Sequence, residues 1–259
     1  MAMDVAEGGR DLLFVESLER GMRLLAAFRG TTDSLGLTEL AAATGLTKSA
    51  AQRFAHTWER MGYLEKDARS RRFRLGIRVL ELGFFFLRGH PLAGRAMPHL
   101  LAVRERLGVA VNLSLRDGAD IVYAVREPDQ RLTLAEMLPG RRMPAFCTSA
   151  GRALLAHCGD DELDAVLAAP GRIRYTPHTE TDAQALRREI ETVRRQGFAI
   201  ARDQVLIGQI GVAAAVPDFG RQPAAAVNMT MTTDQWGEAR IVRELVPQLM
   251  AVTEAISRG

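Results

Sequence analysis

The stretch LTELAAATGLTKSAAQRF, residues 37–54, decides the reading of the N-terminal part of this chain. Thr38 is placed to cap a short helix over residues 39–43, Gly45 suits a turn that needs positive φ, and Thr47 caps a longer helix running to Met61 and Gly62. Helix, glycine turn, helix is the order of a helix-turn-helix, in which the first helix needs a small residue at the crossing and the second needs apolar residues turned inward. Ala41, and Ala51 with Phe54, stand at those positions. The outward side of the second helix then begins at Thr47 and carries Lys48, Ser49, Gln52, Arg53 and His56, groups able to donate to base edges or phosphates.

Upstream, Leu18, Met22, Leu25 and Phe28 fall at helical spacing behind Ser17 as a candidate cap, and Gly30 with the polar residues to Ser34 ends that helix. Downstream, Tyr63 to Lys66 and Arg72 to Gly76 are short alternating stretches joined by the turn Asp67 to Ser70. They read as a wing whose arginines, Arg69, Arg71, Arg72 and Arg74, suit phosphates or a minor groove. The bland alternative is a three-helix protein-interaction domain with a basic hairpin. A helix rich in aromatics, Ile77 to Arg88, follows and has too broad an apolar surface for a small winged domain to bury, so we read it as a linker and dimer contact.

Charge agrees with this division. The net charge is +3, with 14 basic against 11 acidic residues up to position 90 and 20 against 20 beyond it. Residues 46–78 alone hold nine basic and three acidic side chains, the footprint of a polyanion-binding surface. A chain of 259 residues favours two domains, here 1–76 and 91–259 joined by the linker 77–90. No apolar run is long enough for a membrane span, and no segment reads as a secretory signal. Two cysteines, Cys147 and Cys158, make no disulfide framework and fit a reducing cytoplasm.

Beyond His90, Pro91 and Pro98 the pattern changes to strands alternating with helices. Gly108 to Leu115 and Asp120 to Val125 flank the turn Arg116 to Ala119 as a hairpin. Helices are expected from Gly151 to Cys158, Asp160 to Leu167 and Asp182 to Gln196, the last ending at Gly197. Strands are expected over Phe198 to Ile200, Ile210 to Val216 and Ala224 to Met231, and a final helix runs to Ser257. Helices on an antiparallel sheet make an α+β sensing domain.

Two features suggest a small-molecule site. Ser149 and Ala150 lead into a helix start, where free N–H groups favour an anion, although ordinary capping explains the same residues. Asn228 and Thr230 alternate with Val227, Met229 and Met231, so the polar groups share one strand face, either solvent-facing or lining a pocket. Enzyme signatures are missing: there is no G-x-S-x-G, H-E-x-x-H, G-x-G-x-x-G or P-loop, and the histidines lie at no metal-ligand spacing, so neither cofactor nor metal is expected. Cys147 could be imagined as a nucleophile, but a buried small apolar residue is the simpler reading.

Together with FVESLERGMRLLAAF (14–28), DIVYAVREP (120–128) and MPAFCTSAGRALLA (143–156), these parts resemble the IclR family of bacterial transcription regulators, and within it the branch governing protocatechuate and 4-hydroxybenzoate breakdown. The resemblance implies a winged helix-turn-helix on a GAF-like effector domain, paired as dimers or dimers of dimers on double-stranded operator DNA, with a small-molecule effector. It also implies a pocket at Leu132, Ser149, Ala150, Ala201, Gly211, Asn228 and Thr230. Ala201 and Gly211 offer no polar side chain and so point to a roomier, more apolar pocket, suited to an aromatic carboxylate. We expect its carboxylate at the Ser149–Ala150 helix start and its ring against Leu132 and the Met229 side. An arginine could assist, and Arg126, Arg131, Arg141 and Arg142 are indistinguishable by sequence.

Overall fold

The computed structural model describes residues 13–29, 34–128, 138–169, 171–218 and 222–258. Gly30 and the residues to Asp33, and Leu132 with Arg131, lie outside the described residues. The chain divides into two compact units between Phe85 and Phe86, inside the helix expected as a linker.

In the first unit, α1 (Glu16–Ala26), α2 (Leu37–Thr44) and α3 (Lys48–Arg60) enclose a small core of Leu24, Phe28, Leu40, Ala41, Ala51, Ala55, Leu64 and Phe73. Gly45 takes the left-handed φ of 68°, and Leu46 N–H bonds back to the Ala41 carbonyl at 3.1 Å, which turns the chain from α2 into α3. Gly21 on α1 leaves room for Trp58 of α3, whose indole N–H reaches the Gly21 carbonyl at 2.9 Å. Two caps differ from expectation. Val15 rather than Ser17 precedes α1, and Gly36 rather than Thr38 precedes α2, where the Glu39 carboxylate accepts the Gly36 N–H at 2.6 Å. α2 starts early because the Glu39 carboxylate inside its first turn does the work of a hydroxyl cap, while the first turn of α1 carries Glu16 and Glu19, which suit the positive end of a helix. Strands β1 (Leu64–Lys66) and β2 (Phe73–Leu75) form the wing in antiparallel register, and α4 (Arg78–Gly89) follows.

The second unit is built on an antiparallel sheet of six strands among the described residues, in the order β5-β4-β3-β8-β7-β6. These are β3 (Ala110–Asp117), β4 (Asp120–Glu127), β5 (Arg142–Pro144), β6 (Ala199–Arg202), β7 (Gln209–Ala215) and β8 (Ala225–Thr232). One face packs on α5 (Pro91–Leu107) and the C-terminal helix, which comprises α9 (Glu238–Arg240), a π turn (Ile241–Leu245) and α10 (Val246–Arg258). The other packs on α6 (Ser149–Leu155), α7 (Asp160–Ala168) and α8 (Ala183–Gln196), the last capped by Asp182 and closed by Gly197 at φ 84°.

Helix α5 was not expected, because Pro98 reads as a breaker. A proline inside a helix removes a backbone bond at a cost of about 3 kcal/mol, yet the burial of Ala93, Ala96, Leu100 and Val103 against the sheet holds it together. Edge strand β5 is three residues long, too short for a periodic signal.

Candidate DNA-reading face and ligand cavity

On α3 the turns fall as the sequence predicts. Thr47 caps the helix by accepting the Ala50 N–H at 3.2 Å, Ala51 and Ala55 are buried, and Lys48, Ser49, Gln52, Arg53 and His56 are exposed together along one side. The wing arginines do not behave as one group. Arg72 is turned back into its own domain: its Nε donates to Ser34 Oγ at 2.9 Å, and its terminal nitrogen donates to the Ser34 carbonyl at 2.6 Å and pairs with Glu39 at 2.8 Å. Arg74 pairs with Glu65 across the hairpin at 2.6 Å. Arg72 therefore anchors the wing to α2 through Glu39 and to the segment before it through Ser34, which sets its surroundings apart from those of Arg71. Arg71 stands exposed at the wing tip with φ 60°, a left-handed conformation that an L-residue adopts only at a cost.

In the second unit a cavity of about 150 Å3 opens on the α6 side of the sheet. Five of the expected residues line it: Ser149, Ala201, Gly211, Asn228 and Thr230. Ala150 does not, since its side chain is buried in the core beneath α6. Met229 lies on the opposite sheet face, in the core shared with α5 and α10, so no ring in the cavity can rest on it. The period-two alternation of β8 was read correctly, and it is what separates Asn228 and Thr230 from Met229.

The helix start differs from expectation as well. α6 begins at Ser149, with Thr148 as its cap accepting the Gly151 N–H at 3.1 Å. Gly151 is required by contact, because a Cβ there would stand 2.2 Å from Ala145 backbone atoms. Ser149 Oγ faces Gly211 of β7 from above.

The remaining lining is more polar than Ala201 and Gly211 suggested, and includes Tyr123, Arg126, Arg141, Tyr175, Gln204 and Gln209. Beneath it a buried network links the strands: Arg126 Nε donates to Asn112 Oδ1 at 3.1 Å, Ser114 Oγ to Asn228 Oδ1 at 3.3 Å, and Asn228 Nδ2 to Thr230 Oγ1 at 3.1 Å. Gln204 closes one side by bonding Arg152, the Glu180 N–H and the His178 carbonyl at 2.7–3.0 Å. Arg152 itself is buried and paired with Glu189 at 2.6 Å. Cys147 lines the cavity, but burial pushes its thiol up to about 12, so it is no nucleophile at neutral pH.

A winged helix-turn-helix and a cavity-bearing α+β unit are the two parts that the comparisons match. Residues 17–68 fit the IclR helix-turn-helix domain, and residues 84–258 fit the Bacterial transcriptional regulator IclR C-terminal domain. The chain belongs to the IclR family.

Among relatives in this family, the Pca regulon regulatory protein of Pseudomonas putida is 30% identical over 241 residues, spanning 93% of this chain and 82% of that protein. A putative transcriptional regulator from Rhodococcus sp. RHA1 superimposes with a TM-score of 0.79 at 33% identity, covering 95% of this chain and 98% of that one. An IclR homolog from Microbacterium hydrocarbonoxydans, complexed with 4-hydroxybenzoate, superimposes with a TM-score of 0.77 at 25% identity, covering 93% and 98%. This chain is therefore a transcription regulator of that family rather than an enzyme. Among its described residues no helix is long and apolar enough to cross a membrane.

The lining residues that sequence reading missed in this IclR chain, chiefly Tyr123, Tyr175, Gln204 and Gln209, carry no local signature. Gln204 and Tyr175 lie in loops, and only the packing of those loops over the sheet brings them to the cavity.

Proposed function

We propose that this chain is a ligand-responsive DNA-binding regulator of an operon for aromatic acid breakdown, working in the cytoplasm as a dimer or dimer of dimers. The observation that carries the effector reading is the cavity. At about 150 Å3 it is the size that takes up one benzene ring, and its described lining holds two arginines, two tyrosines and no carboxylate. The likeness to a Pca regulon regulator and to a 4-hydroxybenzoate complex supports the same class.

DNA is met by α3, with Gln52 and Arg53 reading base edges and Thr47, Lys48, Ser49 and Arg71 contacting phosphates. One such domain touches too few bases for genomic specificity, so two bind a near-palindromic site. Leu80, Phe84 and Phe85 on α4 are exposed in the single chain and supply apolar surface for pairing. Effector acts by binding one arrangement of the paired chains more tightly than another.

A thermal-shift screen of monocyclic aromatic acids against short aliphatic acids tests the effector class, and a mobility-shift assay on the upstream DNA of its own gene, with and without the stabilising acid, tests the response. Stabilisation by aromatic acids alone, with a change in the DNA complex, is expected. Stabilisation by aliphatic acids alone transfers the reading to a non-aromatic acid pathway.

A further inference from the structure

Two segments outside the helices and strands cover the cavity. Residues 172–182, between α7 and α8, bring Tyr175 to it, and residues 203–208, between β6 and β7, bring Gln204, Val205 and Leu206. The second segment is closed on itself as a flap. Asp203 takes φ 54° and Gly208 φ 83°, the Asp203 carboxylate accepts the Gly208 N–H at 2.7 Å, and the Asp203 N–H reaches the Gln209 carbonyl at 2.8 Å. Of the flap's apolar residues, Val205 packs against the core beside α6, while Leu206 and Ile207 are exposed. Apolar burial therefore does little to hold the flap down.

Hydrogen bonds to the first segment hold it instead. Thr176 Oγ1 donates to the Asp203 carbonyl, and Thr179 Oγ1 donates to the Gln204 carbonyl at 2.6 Å. The Gln204 side chain supplies the rest. Its Oε1 accepts from Arg152 at 2.8 Å and from the Glu180 N–H at 3.0 Å, and its Nε2 donates to the His178 carbonyl at 2.7 Å. An arginine and a backbone N–H can only donate and a carbonyl can only accept, so these partners fix the orientation of the amide and engage both of its ends. Glutamate, its isostere, would set a second acceptor against the His178 carbonyl.

Arg152 roots this arrangement in the core. It stands on α6 and is buried, its Nε donates to the Phe146 carbonyl at 2.8 Å, and its guanidinium pairs with Glu189 of α8 at 2.6 Å. One amide thus ties both covering segments to a post held by two packed helices, on the same helix as Ser149 of the lining. Releasing it detaches the flap from Arg152, His178 and Glu180 at once. What is lost is polar bonding that water at the surface can replace, and little apolar area is uncovered.

We propose that Gln204 is a positioning residue that latches a cover over the cavity, and that an occupant passes in and out when its amide leaves Arg152, His178 and Glu180. Such a latch controls passage into the cavity whatever acid is bound, so it does not depend on the effector being aromatic. Release opens the lining, Cys147 included, to solvent.

Alkylation of the full chain by iodoacetamide at pH 8, followed at each cysteine by mass spectrometry, tests this. Both thiols are buried, and of the two Cys147 lines the cavity and Cys158 does not. Gln204→Ala should speed labelling of Cys147 by about tenfold or more and leave Cys158 at its wild-type rate. Gln204→Glu keeps acceptors for Arg152 and the Glu180 N–H but loses the donor to the His178 carbonyl, so it should give a smaller rise, about threefold. It decides the matter if Gln204→Ala unfolds. Equal acceleration at both cysteines marks a general loss of stability and overturns the latch, as does no acceleration at either. Stopped-flow binding of 4-hydroxybenzoate reads the same step, since a loosened cover quickens association, whereas a lost ligand contact quickens dissociation alone. Faster association in Gln204→Ala is expected, and slowed or unchanged association overturns the latch. If the wild type does not take up 4-hydroxybenzoate, the aromatic reading falls and the cysteine rates alone decide on Gln204.

Discussion

The Ser149 hydroxyl oxygen lies 2.9 Å from the point where a Cβ on Gly211 would stand. β7 and the start of α6 are thus packed so closely that the absence of a side chain at 211 is a condition of the cavity's shape. Gly211→Ala should cost about 1–3 kcal/mol in urea unfolding, as an overpacked site does. Ser149→Ala removes the oxygen that clashes, so the double variant should recover at least about 0.5 kcal/mol relative to additivity. Strict additivity would mean that the two elements yield without meeting.

Arg71 and Arg72 are neighbours in different surroundings, the first exposed at the wing tip and the second bonded to Ser34 and Glu39. Arg71→Ala should leave the melting temperature nearly unchanged while making the salt dependence of DNA binding shallower by about one unit. Arg71→Gly should weaken DNA binding in the same way yet raise stability by about 0.5–1 kcal/mol, because glycine takes φ 60° without strain. Arg72→Ala should cost about 1 kcal/mol of stability, a modest figure because its pair with Glu39 is more than one-third exposed. An Arg72 variant that melts normally and changes only the salt slope would restore it to the phosphate-binding group.

Glu39 gives the winged unit an acid-sensitive joint. The Gly36 N–H and then the Arg72 guanidinium hold its carboxyl below the ordinary value of 4.5. A depressed pKa means that the folded state prefers the ionised form, so the contribution is present above pH 4.5 and is lost as pH falls below it. Wild type should lose stability across that range more steeply than Glu39→Gln, as followed by Trp58 fluorescence in acid titrations. Parallel curves for the two proteins would remove Glu39 from the account.

Cys147 and Cys158 are both buried, with thiols pushed up to about 12 and about 11. Alkylation by iodoacetamide at pH 8 should therefore be slow in the native protein and rapid in urea. Occupancy of the cavity should slow it further at Cys147 alone, since Cys147 lines the cavity and Cys158 does not. Rapid native labelling of Cys147 would contradict its burial.

The parts that were legible in advance share a property. The exposed polar face of α3, the Gly45 turn, the Gly197 stop and the alternating faces of β8 are each encoded within about a dozen residues. Five residues expected at a pocket line the cavity: Ser149, Asn228 and Thr230 carry a local signal in the helix start and the alternating strand, whereas Ala201 and Gly211 come from family resemblance alone. What cannot be read locally is where packing overrules a local rule. Pro98 is tolerated inside α5 because the sheet holds that helix, and Arg72 is taken from the wing by Ser34 and Glu39, 38 and 33 positions away in the chain.

By itself, then, the sequence determined the helix-turn-helix, the basic bias of the first domain and the α+β character of the second, since capping, turn chemistry and hydrophobic period act between near neighbours. Only the tertiary structure decided which side chains share the cavity. One unpaired residue at Ala124 moves Arg126 to the face of Tyr123, and a one-residue change of register inverts every later side chain on a strand. That register depends on pairing with β3 and on closure by β8, more than 100 residues further along the chain, where no local pattern reaches.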